Sequence, residues 1–359
     1  FLEYSRKYIE ENKFMENAYD VLDRNDFYIY KSMSLKNFNH AKKAFIKDEQ
    51  KLYRLIYDLK LYDKKNQIEA LEKLVNEGVY EGQILREEYL KLLSKEESIK
   101  ILENNDFNDE NSVYLRANLF RIALNSESPS DRAKNLNILW KKASEVNLYK
   151  AIAKASSDIT LSITPDTNLS WFIYPAVKNL LFSDNINAAK NWLFYKSNDN
   201  FNRAAVDINF CRFLILLYIK DKSSLNHSPN MPSIEDLLNI LLNDIEIKEE
   251  DLLRLLVTLK ALDYKIPLGA WKKFLYQSKK VDLLKSKKDF TLDYFLIEEA
   301  IVQKNKAETI LLSSNLLALY ENDKQYLQNL FRGINALYKI DLEQEARAYA
   351  FEKNFHILK

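Results

Sequence analysis

Ile208-Asn209-Phe210-Cys211-Arg212-Phe213-Leu214-Ile215-Leu216-Leu217-Tyr218-Ile219 is the most apolar run in the chain, and coiled into a helix it is apolar on every face. A helix that is hydrophobic all round is buried on all sides. A membrane span needs about 20 apolar residues, roughly twice what this run offers, and Arg212 sits in its middle, so no span is expected. The run closes a longer stretch, Trp171 to Lys220. That stretch opens with Trp171-Phe172-Ile173-Tyr174-Pro175-Ala176-Val177, turns at Ser183-Asp184-Asn185, and continues with Ala188, Ala189, Trp192, Leu193 and Phe194. The reading is a central helix in a helical array, with Trp192, Phe210, Phe213, Leu214 and Leu217 in the core. Arg212 is then a buried structural charge. An unpaired guanidinium there is too costly, so it is expected to meet a carboxylate or several carbonyls, as an ion pair holding two hairpins in register. The other reading of Arg212 is a groove-lining anchor for a peptide carboxylate.

Composition supports helix throughout. The 359 residues contain 4 glycines and 6 prolines, far below the usual ~7% and ~5%. Sheets, dinucleotide-binding turns and phosphate-cradling loops need glycine for positive φ or close backbone approach. Apolar residues make up 47% of the chain, enough for a sizeable core. Net charge is +1, from 53 basic and 52 acidic residues, so no global field favours nucleic acid or membrane. One cysteine, Cys211, excludes an internal disulfide framework and leaves cytoplasm and bacterial periplasm both compatible. The chain begins at Phe1 rather than Met, and a processed or excised piece is expected.

The pattern divides the chain into an N-terminal helical array over 1–220, a loop over 221–232 and a C-terminal array over 233–359. Residues 1–64 are less regular, with Ala41–Phe45 and Leu52–Leu59 the best helical pieces. Ile68, Leu71, Leu74 and Val75 form one stripe and Ile84 to Leu93 the next. Ser112 to Leu124 is a helix, and Ser128-Pro129 with Asp131 starts another. Leu148 to Ile163 follows and breaks at Pro165-Asp166-Thr167. Two prolines and a Ser/Asn cluster mark 221–232 as a boundary. Ser233 with Asp236 then reads as a capping box. Further helices are expected around 252–262, 268–278, 290–304, 306–320, 324–338 and 342–355.

One short pattern occurs twice. Ala189-Lys190-Asn191-Trp192-Leu193-Phe194-Tyr195-Lys196 aligns with Ala346-Arg347-Ala348-Tyr349-Ala350-Phe351-Glu352-Lys353. Each follows a leucine-rich helix and a turn containing aspartate, Asp184 or Asp341. Small residues at the start of a second helix let it sit close against the first. In this the chain resembles the class of irregular helical-hairpin, tetratricopeptide-like α-solenoids, without a strict 34-residue period or the W-x2-L-G-x2-Y signature. The resemblance implies an all-α fold of stacked antiparallel hairpins, forming a solenoid or superhelical array with a binding surface, and carries over no functional residue.

Chemistry-bearing clusters do not emerge. His40, His227 and His356 lie far apart with no second ligand at helical spacing, so no metal is expected. No H-E-x-x-H, P-loop, G-x-S-x-G or G-x-G-x-x-G occurs, and neither an enzyme nor a cofactor is expected. Paired glutamates lie beside Lys or Arg, as on solvated helix faces. Residues 271–288 carry Lys272, Lys273, Lys279, Lys280, Lys285, Lys287 and Lys288 against one acid, with Trp271, Phe274 and Tyr276 interleaved. Without arginine there, specific base readout is not expected. The leading expectation is a non-enzymatic scaffold or protein-binding module, its groove rimmed by Lys279, Lys280, Lys287, Lys288 and Tyr276. The alternatives are a helical superstructure domain of a larger cell-envelope enzyme, or nucleic-acid binding through 271–288.

Overall fold

The structure is a computed structural model that describes residues 49–60, 63–92, 112–197, 207–222, 232–277, 292–317 and 325–358. Every regular element among them is helical, and they contain no strand. They fall into two compact units, Phe1–Trp192 and Leu193–Lys359. That division lies inside one helix, whereas the sequence puts a boundary at 221–232, of which 223–231 lie outside the described residues. Ala41–Phe45 also lies outside them.

In the first unit, α1 (Glu49–Asp58) packs on α2 (Lys64–Asn76), followed by α3 (Gly82–Leu92), α4 (Val113–Asn125) and α5 (Pro129–Glu145). Ser112 and Ser128 cap α4 and α5 through their hydroxyls, as Asp63 caps α2 through its carboxylate. The expected helix from Leu148 to Ile163 is instead two, α6 (Tyr149–Ala155) and α7 (Ser157–Leu161). The break falls at Ser156, whose buried hydroxyl donates to the Ile152 carbonyl and accepts from Trp140 Nε1 at 3.0 Å. Helix α6 is the hub of this unit, touching α2, α3, α5 and α8 (Ile173–Phe182). Its alanines make that crowding feasible: Ala151, Ala153 and Ala155 are buried together with Ile152. Gly82 opens α3 where a Cβ would lie 2.6 Å from the Lys154 carbonyl carbon. Trp140 stacks on Phe172 at 5.5 Å between centroids, and Trp192 meets the edge of Phe172. Helix α9 (Ile186–Ser197) carries Trp192.

In the second unit α10 (Ile208–Lys220) is buried from Phe210 to Ile219. The core residues expected there, Phe210, Phe213, Leu214 and Leu217, are all buried, as is Trp192 of the first unit. Around α10 lie α11 (Ile234–Leu241), α17 (Glu343–Asn354) and a closing 3-10 turn, Phe355–Leu358. A second cluster joins α12 (Glu249–Ala261), α14 (Leu292–Val302), α15 (Lys306–Leu317) and α16 (Tyr326–Lys339). Helix α13 (Leu268–Gln277) lies between α12 and α14 in sequence.

One turn is used repeatedly. Asn147, Asp184, Lys304 and Asp341 all take left-handed φ of 57 to 65°. In each, the next residue's N–H returns to a carbonyl five residues back: Leu148 to Ala143, Asn185 to Leu180, Asn305 to Ala300, Leu342 to Leu337. This is the Schellman bond, and it joins consecutive helices through turns of three residues. Four residues further on, Ile152, Ala189, Thr309 and Ala346 are each fully buried. The two aligned segments found in the sequence therefore share one local geometry. Gly78 and Asp263 make the same bond, leading into longer connections.

Candidate functional site

Arg212 lies one turn into α10, 2% exposed. Asp207 does not reach it; its carboxylate caps α10 by accepting from Asn209 and Phe210 N–H. The partner is Asp244, 32 residues away and just past α11. Arg212 Nε and Nη2 both donate to Asp244 Oδ2, at 2.9 and 2.6 Å, and Nη2 also reaches Glu246 Oε2 at 2.9 Å. Asp244 Oδ1 accepts from Glu246 N–H, which closes the loop on itself. Burial works against the charge, and the hydrogen bonds to Asp244 and Glu246 outweigh it, so the Arg212 pKa is raised.

An open depression sits over this pair, lined by Asp207 to Asn209 and Asn243 to Glu246. Its rim holds Ile245, 99% exposed. Three carboxylates line the depression, and two of them, Asp244 and Glu246, already take the guanidinium. Such a surface is unfavourable for a peptide carboxylate, and the Arg212–Asp244 pair links α10 to the segment after α11.

The opposite end of α10 is held by a second arginine. Arg347 of α17, 4% exposed, donates from Nη1 to the carbonyls of Tyr218 and Ile219 at 3.1 and 2.9 Å. Those carbonyls belong to the last turn of α10, where a cation complements the helix dipole. Glu343 takes Arg347 Nε at 2.7 Å, and the Tyr264 hydroxyl donates to the same Tyr218 carbonyl. In the first unit Arg116 makes a two-bond fork to Glu72, at 2.8 and 2.6 Å, with the Tyr89 hydroxyl donating to the same carboxylate. Sequence reasoning singled out Arg212 and missed Arg116 and Arg347. The same signal was present for both, a guanidinium flanked by apolar residues, in Val113–Leu119 and at Ala346 and Ala348.

Cys211 is buried, and burial, with Asp207 adding to it, pushes its thiol up to about 11. His356 Nε2 lies 2.9 Å from Asp251 Oδ1 and 2.8 Å from Arg254 Nη1, tying the 3-10 turn to α12. His40 and His227 lie outside the described residues. So do Lys279, Lys280, Lys285, Lys287 and Lys288, while Tyr276 falls on α13. Of that basic stretch, Lys272 is exposed and Trp271 and Phe274 are half-buried. Among the described residues no group of His, Cys, Asp or Glu is placed to hold a metal, and no helix is long and apolar enough to cross a membrane. No family model, curated protein or solved structure matches this chain.

Proposed function

We propose that this chain is a non-enzymatic helical-hairpin scaffold that binds protein partners, its hairpins stacked as an α-solenoid. The observation that supports the reading is the repeated three-residue turn at Asn147, Asp184, Lys304 and Asp341, each followed by a fully buried residue five positions on. A hairpin made this way cannot bury its apolar faces alone and stacks on its neighbours, which leaves one helix of each pair to line an extended surface. The polar groups with the best geometry, Arg212–Asp244 and Arg116–Glu72, are spent on one another inside the units. In this proposal Lys279, Lys280, Lys287 and Lys288 form the rim of the binding surface, with Tyr276 beside them. Rim charges govern association rate and salt dependence more than final affinity.

The test is a crosslinked pull-down from the native cell, expected to recover a protein in stoichiometric amount. With that partner in hand, charge reversal of the four lysines is expected to slow association several-fold at low salt and to matter little at high salt. Recovery of nucleic acid in place of protein, or turnover of a small molecule by the purified chain, refutes the reading.

A further inference from the structure

His356 presents one ring atom to two partners that ask opposite things of it. Its Nε2 lies 2.9 Å from Asp251 Oδ1 and 2.8 Å from Arg254 Nη1. An ionised carboxylate only accepts, so the first contact needs a proton on Nε2. A guanidinium only donates, so the second needs the bare lone pair. The two bonds therefore exclude one another. The side chains of His356, Asp251 and Arg254 are 16, 17 and 10% exposed, so water is a poor substitute for either partner. The two partners lie three residues apart on α12, close to one turn. Arg254 has other holds, since its Nη1 reaches the Lys353 carbonyl at 3.4 Å and Asp251 Oδ1 at 3.7 Å.

We propose that His356 is a proton-operated clasp between the closing 3-10 turn and α12. Neutral, with its proton on Nδ1, the ring accepts from Arg254. Protonated, it donates to Asp251, and Arg254, now facing a second cation, is left to Asp251 and the Lys353 carbonyl. The hold of the turn thus moves along α12 from residue 254 to residue 251, across the range where imidazole ordinarily titrates, near about pH 6.5. Both positions offer a charge-assisted bond, so neither state lets the turn go. The other charges around the turn are less direct. Glu249 and Glu250 open α12 beside Asp251 and are exposed. From α17 come Lys353 and Glu352, the latter exposed one turn before His356. From α16 comes Tyr326, whose ring lies 5.6 Å from the Arg254 guanidinium carbon and 5.9 Å from Lys353 Nζ. Helix α10 also packs on the turn, and its buried Arg212 is held by Asp244 and Glu246. Exposed charges are screened, whereas Asp251 and Arg254 touch the ring nitrogen itself.

The experiment is imidazole nitrogen NMR on the isotope-labelled full chain from about pH 5 to about pH 8.5, with the His356→Gln chain identifying the His356 signals. At high pH the ring should carry its proton on Nδ1 and leave Nε2 bare; at low pH both nitrogens should be protonated. Asp251→Asn should lower the titration midpoint by about half a pH unit or more, and Arg254→Gln should raise it by a similar amount. Glu352→Gln should move it less than Asp251→Asn does. Backbone amides of 355–358 and of the first two turns of α12 should shift with the same midpoint. A neutral ring protonated on Nε2, or a ring that does not titrate in this range, overturns the proposal, and both are read on the wild type whether or not a variant folds. So does a midpoint that Asp251→Asn and Arg254→Gln move in the same direction, or that neither moves. Partner recovery in the pull-down is read separately, so failure here leaves the scaffold reading standing.

Discussion

Asp244 decides what Arg212 costs. The side chains of the pair are 3 and 1% exposed, so without Arg212 the Asp244 carboxylate is left buried, and without Asp244 the guanidinium keeps only Glu246, itself largely in solvent. Breaking a buried pair costs about 3–5 kcal/mol, while exchanging both partners for well-packed apolar residues is close to neutral. Asp244→Ala should therefore lower stability by about that amount in urea melts, and the double change Arg212→Met, Asp244→Leu should recover most of it. A single change as mild as a surface substitution, about 0.5 kcal/mol, would show the pair to be solvated. Cys211 is the neighbouring case with one charge state. An unfolded thiol loses its proton near about pH 8.5, while folding holds this one protonated up to about 11. Above the unfolded value the native state binds more protons, so the contribution of Cys211 is complete below about pH 8.5 and is lost as pH rises toward the folded value, by at most about 1.4 kcal/mol per pH unit. Melts between pH 8.5 and 9.5 should fall more steeply for the wild type than for Cys211→Ala. Equal slopes would place the thiol in solvent.

At the scale of elements, two glycines predict opposite outcomes. A Cβ on Gly82 would press into backbone atoms of Lys154 and Ala155 at 2.6 to 2.8 Å, and backbone cannot swing aside. Gly82→Ala should cost about 1–3 kcal/mol as an overpacking change. Gly269, in the first turn of α13, would meet nothing within 4 Å, so Gly269→Ala should gain about 0.5–1 kcal/mol. Among the turns, Lys304 is the anomaly. Aspartate and asparagine tolerate left-handed backbone because a short polar side chain can bond locally; lysine has no such compensation. Lys304→Gly should stabilise by about 1 kcal/mol, and by more than Asp184→Gly. Most helices were readable from sequence because their apolar spacing and caps agree, as Ser128-Pro129-x-Asp131 shows for α5. The break at Ser156 was not. It depends on Trp140, Ile152 and Asn179 meeting one hydroxyl, which no local pattern encodes. The face α15 presents was equally hidden: Ile310/Ser314 and Thr309/Ser313 have the same helical spacing, and packing against α14 and α16 chooses between them.

Across the whole molecule, each unit closes its own core around its own buried fork, Glu72–Arg116 in the first and Arg212–Asp244 in the second. That Arg212 required an acid was legible in the sequence; that the acid lay beyond α11 was not, because nothing local links positions 32 apart. All-α character was legible from four glycines and the helical stripes. The place where the units divide was not, since Trp192 and Leu193 are neighbours on one helix, α9, with no proline or glycine between them. This arrangement predicts where damage spreads. Stability varies over a structure in contiguous cooperative blocks, each opening with its own free energy. Asp244→Ala removes the tie between α10 and the loop after α11, so amides of α10, α11 and α17 should lose hydrogen-exchange protection first. Glu72→Ala frees the Arg116 fork and should do the same to α2, α3 and α4. In each variant the slowest amides of the other unit should keep most of their protection. Protection lost evenly from both units in either variant would mean that the chain unfolds as one block.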